Sequence, residues 1–266
     1  MTILQKTEKA LDSHVGKAII KYGMIRPNDV IMVAFSGGKD SWALLFTLRR
    51  LMEKAPVKFS IKAVHVDVGF PGTDTAPIEE YLDYHKFDYE ILRTGIYKLT
   101  KMKLSPDQNP CPFCARMRRG ALYGRANGGG FTTIALGHHR EDLLETLLMN
   151  LFFNGLLRAM APRYVAKDYG YAVIRPMVFV EERLISRYAR LMDFPIVDIC
   201  PHKAKAVGKR SEMKELISNL ERKYPKIKKI MFRALGNVDA DHLMDETLYG
   251  FKSLGDGIDV NEDSRC

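Results

Sequence analysis

A run of six apolar residues, Val30 to Phe35, is the first strong pattern along the chain, and three of the six are β-branched. Such a short, continuous run is typical of a strand that is buried on both faces. The next apolar positions, Leu44, Leu45 and Leu48, recur at the spacing of a buried helix face. The pattern therefore predicts a strand, a tight turn and a helix.

The turn between this strand and this helix carries six residues suited to phosphate, Ser-Gly-Gly-Lys-Asp-Ser from Ser36 to Ser41. Glycines let the backbone approach an anion closely, and the first N–H groups of the helix point toward it. Lys39 adds a positive charge, and the two serines add hydroxyl donors. The four-residue spacer of the Walker A motif is missing, so the turn predicts a different kind of pyrophosphate cradle. A glycine turn with a helix-capping serine is the purely structural alternative.

Short apolar runs and helical periodicity go on alternating through the rest of the chain. Further strands are predicted at residues 59–69, 89–93 and 132–137. Helices are predicted at 4–23, 78–85, 138–150, 181–192, 211–223 and 226–235, and a hairpin at 163–176 with its turn at 168–170. The polar segment from Thr94 to Pro110 is expected to form a long loop. This order predicts an α/β fold, an open parallel twisted sheet flanked by helices.

Four segments follow from these patterns. Residues 1–28 form an N-terminal helical segment, and residues 29–200 form a nucleotide-binding domain with an inserted cysteine loop. Residues 201–252 form a basic helical C-terminal region, and residues 253–266 a polar tail that is expected to be disordered. With 266 residues, the chain is long enough to bury a full core around one large domain.

Polar residues follow two of the predicted strands. His65 and Asp67 lie at the carboxyl end of the second strand, where ligands of open parallel sheets bind. Gly137 ends a later strand, and Asp142 lies near the start of the helix that follows. A carboxylate there suits the helix dipole and is a candidate to hold magnesium on nucleotide phosphates, although capping alone would also explain it.

The chain contains four cysteines, and two of them form a C-x-x-C motif at Cys111 and Cys114. Such a motif can bind zinc, form a redox dithiol or ligate an iron-sulfur cluster. Together with Cys200 it supplies three thiolates, which would leave one corner of a cubane cluster open. A zinc site that adds His202 is the alternative. Cys266, in the polar tail, is a weaker ligand candidate.

Basic residues exceed acidic residues by nine, and two groups of them follow cysteines. The members are Arg116, Arg118, Arg119 and Arg125 after Cys114, and Lys203, Lys205, Lys209 and Arg210 after Cys200. A solvated, solubilising face is the ordinary explanation for such a surface. Beside a nucleotide-activating turn, the favoured hypothesis is a polyanionic substrate, namely RNA.

No apolar run approaches the roughly 18 residues that a membrane span needs. The first residues lack the apolar core and the small-residue cleavage site of a signal peptide. We therefore expect a cytoplasmic protein without a membrane partner, in which the few cysteines are ligands or redox groups rather than disulfides.

The stretch from Ser36 to Ser41 after an apolar strand resembles the signature of the PP-loop ATP pyrophosphatases, which cleave ATP between the α and β phosphates. Together with residues 110–120 and 137–146, it is similar to the tRNA 2-thiocytidine synthetase family, the tRNA-cytidine 2-sulfurtransferases, over residues 25–250. The resemblance implies a PP-loop, adenine nucleotide alpha hydrolase-like fold. It also implies adenylation and then thiolation of C2 of a cytidine at position 32 of the tRNA anticodon loop.

Cofactors, partners and site residues follow from the same resemblance. The cofactors are ATP, Mg²⁺ and a 4Fe-4S cluster, the last on Cys111, Cys114 and Cys200. The partners are tRNA and a sulfur donor, either a cysteine desulfurase or sulfide, and a homodimer is common in the family. Catalytic residues would be Lys39, Asp40 and Asp142. ATP would contact Ser36, Gly37, Gly38, Lys39, Asp40, Ser41, Asp67 and Gly137, and RNA would contact Arg116, Arg118, Arg119, Lys203 and Lys205.

Two other hypotheses stay open. The first is another PP-loop tRNA-modifying enzyme, of the 2-thiouridine or lysidine synthetase type. Four cysteines are too few for the extra zinc-finger pairs of cluster-bearing thiouridine enzymes, and lysidine synthetases do not need a C-x-x-C motif. The second is a zinc-bound RNA-binding protein without activity, which tRNA-dependent conversion of ATP to AMP would exclude.

Overall fold

The structure, a computed structural model, describes residues 1–105, 107–166, 169–197 and 208–248. Several positions that the sequence singles out lie outside the described residues. They are Asp168 of the predicted hairpin turn, Cys200, His202, Lys203, Lys205 and the tail from 253 to 266 with Cys266.

A mostly parallel sheet forms the centre of the described fold. Its strands are β1 (Val30–Phe35), β2 (Ser60–Asp67), β3 (Tyr89–Arg93), β4 (Thr133–Ala135), β5 (Arg163–Val165) and β6 (Ala172–Ile174). They lie in the order β3-β2-β1-β4-β6-β5, and every neighbouring pair is parallel except β5 with β6. The direction of winding reverses between β1 and β4. The carboxyl ends of these two strands therefore border the crevice in which open parallel sheets bind ligands.

Helices cover both faces of the sheet. In chain order they are α1 (Ile3–Lys21), α2 (Lys39–Lys54), α3 (Ala76–Tyr84), α4 (Ile96–Lys103), α5 (Cys111–Gly128), α6 (Arg140–Asn154), α7 (Glu182–Met192), α8 (Lys209–Lys223) and α9 (Ile227–Ala234). Within the described ranges, these helices lack the combination of length and apolar character that crossing a bilayer requires.

Both faces of β1 are buried, as its continuous apolar sequence predicts. Ile31, Val33 and Phe35 point into a cluster that α1, α2, α3 and α7 share. Met32 points into the opposite cluster, together with residues of α4 and α5. Alternating side chains of a strand lie on opposite faces, so burying each of them requires helices on both sides of the sheet.

Trp42, in the first turn of α2, is fully buried. Its ring stacks on Phe194 at 5.4 Å and meets Phe35 and Tyr81 edge-on at 4.5 and 5.1 Å. Its Nε1 also donates a hydrogen bond to the Pro195 carbonyl at 3.3 Å. Each aromatic pair adds about 0.5–1.5 kcal/mol beyond burial. This packing fixes the start of α2, and with it the turn at residues 36–41.

A third apolar cluster joins the C-terminal helices to the rest of the fold. Leu144 and Leu148 of α6 pack against Met213 and Ile217 of α8. Residues of α9 cover the same cluster from outside. The basic helical region therefore shares a core with the helix that follows β4.

The predicted fold class is confirmed, including the N-terminal helix and the antiparallel hairpin formed by β5 and β6. The prediction of a long loop from Thr94 to Pro110 is wrong, because α4 occupies 8 residues of that segment. Its buried residues are Ile96 and Thr100, one turn apart on the face that meets α5. A short, lysine-rich helix with so few buried positions gives little periodic signal.

Candidate active site

The turn after β1 has the geometry of an anion cradle, a name used below for residues 36–41. Gly37 has a φ of 74°, a conformation that residues with a side chain rarely adopt. The Ser36 hydroxyl donates to the Ser41 hydroxyl at 3.2 Å, and the Ser41 hydroxyl donates to the Gly38 carbonyl at 2.8 Å. These bonds fold the turn over the start of α2. The first N–H groups of that helix have no intrahelical acceptors, so the cradle suits phosphate oxygens.

The end of β4 presses against the cradle at Gly137. A Cβ atom on this residue would lie 3.3 Å from both the carbonyl carbon and the carbonyl oxygen of Asp40. Glycine permits this close approach of two backbones. As a result, the residues that follow β4 lie directly beside the start of α2.

His139 connects two carboxylates that the sequence predicts to be catalytic. Its buried ring has Nε2 at 3.5 Å from Asp142 Oδ2 and at 3.9 Å from Asp40 Oδ1. Its backbone N–H also donates to Asp142 Oδ2 at 2.8 Å and so caps α6. Burial alone would lower the pKa of His139, but the surrounding carboxylates raise it above the usual value. The starts of α2 and α6 therefore converge on one imidazole.

Lys39 lies at the same point. Its ammonium is 2.9 Å from Asp40 Oδ1 and 3.2 Å from Glu182 Oε1 of α7. Burial lowers the pKa of Lys39, but the two carboxylates outweigh that effect and raise it. The side chain is thus a fixed positive charge beside the cradle.

Two cations of α8 complete this network, and the sequence did not indicate their contacts. Arg210 reaches Asp142 Oδ1 at 2.6 Å and Glu145 Oε2 at 2.8 Å. Lys214, one turn later, binds Glu182 at 2.9 Å. The sequence predicts an RNA-binding face for the basic group after Cys200, but in the structure Arg210 binds the carboxylates of Asp142 and Glu145. Only the packing of α8 on α6 brings these charges together.

Glu141 fixes the start of α7 relative to α6. Its carboxylate accepts a hydrogen bond from the backbone N–H of Glu182 at 2.9 Å and binds Arg140 at 3.0 Å. Burial raises the pKa of Glu141, but contacts with His139, the Glu182 N–H and Arg140 lower it to about 2. An ionised Glu141 therefore holds Glu182 where it can bind Lys39.

The carboxyl end of β2 lies at the same edge of the sheet. The Asp67 carboxylate accepts a hydrogen bond from the Gly69 N–H at 2.9 Å. The backbone carbonyl of Asp67 accepts hydrogen bonds from the N–H and the hydroxyl of Thr94. The buried His65 donates a hydrogen bond from Nδ1 to the Phe35 carbonyl at 3.0 Å, and its Nε2 has no partner within the described residues. The side chain of Asp67 thus shapes the turn that follows the strand.

His138 and Arg175 form a second polar pair at the end of β4. The Arg175 Nε donates to His138 Nδ1 at 3.3 Å, and its Nη1 donates to the Ala161 carbonyl at 2.6 Å. Burial and the charge of Arg175 lower the pKa of His138 to about 4. The imidazole is therefore neutral at physiological pH and can accept a hydrogen bond from the guanidinium.

The cysteine pair lies at the beginning of α5. Cys111 is the first residue of the helix, and Cys114 lies one turn later in a buried position. The sulfur of Cys114 is 3.2 Å from the hydroxyl of Thr100 on α4. Two thiols in a C-x-x-C spacing are a donor set that fits an iron-sulfur cluster or another thiolate-bound metal. Cys200, the third predicted ligand, is not among the described residues.

The arginines of α5 differ in their surroundings. Arg116 and Arg119 are exposed, whereas Arg118 is half-buried and its Nε has no partner within the described residues. Arg125 binds Glu90 at 2.7 Å and is part of the scaffold, although the sequence groups it with the other three. Lys203 and Lys205 lie outside the described ranges.

Comparison with known proteins assigns the family. A family model of the PP-loop domain matches residues 5–198. The tRNA-cytidine(32) 2-sulfurtransferase of Tolumonas auensis is 40% identical over 257 residues, which cover 96% of this chain and 84% of that protein. The protein of the same name from Geobacter metallireducens is 43% identical over 245 residues, covering 92% and 95%. The chain belongs to the tRNA-cytidine(32) 2-sulfurtransferase family.

A solved structure shares the fold of this 2-sulfurtransferase family member. It is the U34-tRNA thiolase NcsA from Methanococcus maripaludis with its [4Fe-4S] cluster. The TM-score is 0.70 at 21% sequence identity, and the match covers 89% of this chain and 81% of that chain. At this identity, the likeness concerns the fold.

For this member of the 2-sulfurtransferase family, Arg210→Gln is expected to lower the free energy of unfolding by about 1 kcal/mol. The change leaves the carboxylates of Asp142 and Glu145 without their guanidinium, and Glu145 is buried. Urea unfolding at neutral pH measures the effect. Lys209→Gln is the matched control, because it removes the neighbouring positive charge of α8. The Lys209 ammonium lies over the Phe153 ring, whereas the Arg210 guanidinium binds two carboxylates. Identical midpoints for Arg210→Gln and the unchanged protein would show that these ion pairs do not stabilise the fold.

Proposed function

We propose that the chain transfers sulfur to C2 of cytidine 32 in the anticodon loop of tRNA, with conversion of ATP to AMP and pyrophosphate. The observation that carries this proposal is the convergence of Asp142 with Lys39 and Asp40 of the anion cradle, at the switch point of a parallel sheet. The relatives that share the family are named for this modification, which supports the choice of base and position.

The anion cradle would hold the phosphates of ATP. Its N–H groups and the Lys39 ammonium would neutralise the charge that develops on the leaving pyrophosphate. The Glu182 carboxylate lies 3.2 Å from that ammonium, so the positive charge is held in place before substrate binds. Gly137 and the end of β2 at Asp67 border the same crevice, and we assign them to the nucleoside.

Asp40 and Asp142 fit a hard divalent cation, because they present carboxylate oxygens from two helix starts that face one imidazole. These two residues would hold Mg²⁺, which supplies neutralisation of the phosphate oxygens. In that case, Arg210 would share Asp142 with the cation or move away from it. The ion pair of Arg210 with Glu145 would keep α8 in place in either case.

The reaction balances without an external oxidant or reductant when sulfur enters as sulfide. The C2 oxygen of cytidine attacks the α phosphorus of ATP, the bond to the bridging oxygen of the β phosphate breaks, and pyrophosphate leaves. The C2 oxygen thereby becomes part of an AMP leaving group. Sulfide then attacks C2, the C2–O bond breaks with its electron pair on AMP, and 2-thiocytidine forms.

Cys111 and Cys114 would hold the 4Fe-4S cluster, and we propose Cys200 as its third ligand. With three protein ligands, the cluster would supply one open iron at which incoming sulfur is held. The thiols are one turn apart at the start of α5, in the spacing of a C-x-x-C ligand pair. The sulfur donor and the homodimer stay predictions.

The exposed arginines after Cys114 would contact tRNA phosphates, with Lys203 and Lys205 as further proposed contacts. If about six phosphates are neutralised, tRNA affinity should fall roughly a thousandfold between about 50 and 200 mM salt.

We also propose that the chain divides into four segments, at residues 1–28, 29–200, 201–252 and 253–266.

The test uses protein purified without oxygen, ATP, magnesium, sulfide and a tRNA transcript with cytidine at position 32. AMP release and nucleoside mass spectrometry are followed, and a transcript with uridine at position 32 is the control. We expect AMP and 2-thiocytidine with the first transcript only. A thiolated uridine 34 or a lysidine product would support a different PP-loop tRNA enzyme, and the absence of tRNA-dependent AMP would support a binding protein.

A further inference from the structure

Four tyrosines form one aromatic cluster beside the outer edge of the sheet, referred to here as the tyrosine surface: Tyr123, Tyr164, Tyr169 and Tyr171. The hydroxyls of Tyr123 and Tyr164 are 3.1 Å apart. The rings of Tyr169 and Tyr171 stack at 5.6 Å with an angle of 15° between their planes. Tyr123 also contacts both of these rings, at 6.3 and 5.8 Å. Residues of α5, β5 and the segment between β5 and β6 thus meet in one surface.

The cluster is buried on one side and open on the other. Tyr171 is 3% exposed, whereas Tyr164 is 37% and Tyr169 is 47% exposed. Burial raises the pKa of Tyr123 and of Tyr171 to about 12, so both rings are neutral at physiological pH. The buried Tyr171 and the half-buried Tyr123 support the two open rings from below without placing negative charge near them.

A short series of contacts connects the tyrosine surface to the nucleotide site. The Arg175 guanidinium lies 5.5 Å from the centre of the Tyr164 ring and donates to His138. His138 follows Gly137, the residue that presses against Asp40. A group stacked on Tyr164 would therefore lie beside the crevice in which ATP is proposed to bind.

Positive charge lies next to the same surface. Arg116 and Arg119 precede Tyr123 by seven and four residues on α5, so the three side chains share one face of that helix. Both arginines are exposed, and neither has an ion pair within the part of the chain that the structure describes. Exposed aromatic rings beside unpaired arginines are the combination that binds single-stranded nucleic acid, because rings stack on bases and arginines attract phosphates.

We propose that the tyrosine surface stacks an unpaired base of the tRNA anticodon loop next to the target cytidine, with Tyr164 and Tyr169 as the stacking rings. This inference rests on the proposed function and adds the residues that hold the loop open. An unpaired loop fits better than a duplex, because only unstacked bases offer their faces to an aromatic ring.

The experiment measures tRNA affinity of the full chain as a function of salt, for Tyr164→Ala, Tyr169→Ala and the unchanged protein. We expect each alanine variant to bind tRNA roughly tenfold more weakly at every salt concentration, with an unchanged salt slope, because stacking releases no counterions. Arg119→Gln should instead make the slope shallower by about 1. Tyr164→Phe keeps the ring and should keep the affinity.

The controls separate the possible outcomes. Tyr84→Ala removes an 81% exposed ring on α3 and should leave tRNA affinity unchanged. Tyr169→Ala keeps the test valid if Tyr164→Ala does not fold. If the unchanged protein thiolates tRNA but both alanine variants bind it as tightly, this inference alone is wrong, whereas no tRNA binding by any form would contradict the proposed function. If an alanine variant changes the oligomeric state of the protein in solution but leaves its tRNA affinity unchanged, the tyrosine surface is a contact between copies of the chain and the inference is wrong.

Discussion

The Lys39→Ala variant is expected to lose thiolation, with kcat lowered about a hundredfold to a thousandfold. The Lys39 ammonium lies between Asp40 and Glu182, at 2.9 and 3.2 Å. Burial alone would lower its pKa, but these carboxylates raise it, so the charge is present throughout the physiological pH range. Without it, the leaving pyrophosphate loses a cation that is positioned before the reaction begins. AMP release and 2-thiocytidine formation at saturating ATP and tRNA measure the loss.

Lys54→Ala is the matched control for this experiment. Lys54 lies in the last turn of the same helix, is mostly exposed and binds Asp12 at 3.2 Å. We expect it to leave kcat unchanged. Iron content should be equal in both variants and in the unchanged protein, since neither lysine is a proposed ligand of the cluster. Thiolation at the normal rate by Lys39→Ala would overturn the role given to the cradle.

Cys114→Ser is expected to abolish thiolation while ATP binding persists. Cys114 is buried one turn into α5, beside the Thr100 hydroxyl. A serine oxygen is a poor ligand for iron, so the variant should lose most of its iron and acid-labile sulfide. Elemental analysis and visible absorption of protein purified without oxygen measure the cluster, and nucleotide titration measures the retained site.

Three further cysteine variants give this experiment its controls. Cys111→Ser and Cys200→Ser should behave like Cys114→Ser, whereas Cys266→Ser should retain about four irons per chain. Stoichiometric zinc without sulfide in the unchanged protein would instead identify the site as a zinc centre with His202. In that case, the cluster is excluded, and the activity test decides whether the nucleotide site is used at all.

The parts of the fold that local sequence determines were predictable. The strand at 30–35, the glycine turn and the helix at 39–54 follow from consecutive apolar residues, two glycines and the leucine spacing. The parallel sheet followed from the repetition of this pattern. The helix at 96–103 was missed because its buried positions are few and its other residues are mostly polar.

The candidate site was only partly predictable for a different reason. The motifs name Lys39, Asp40 and Asp142, but spacing cannot show that the last two face one imidazole across 102 residues. The contact of Arg210 with Asp142 depends on how α8 packs against α6, which an apolar pattern does not specify. The tyrosine surface likewise requires α5 to meet the β5–β6 hairpin, so its members appear unrelated in the sequence.

The single tryptophan makes the protein its own optical probe. Trp42 emits from within the cluster that α1, α2, α3 and α7 share. The buried residues of α8, Met213 and Ile217, belong to a different cluster with Leu144, and Phe232 of α9 packs against both clusters. Fluorescence therefore reports loss of the nucleotide-binding core, whereas circular dichroism reports all helices together. A difference between the two unfolding curves would show that α8 and α9 detach before the core unfolds. Coincident curves would show that the core and these helices unfold as one cooperative unit.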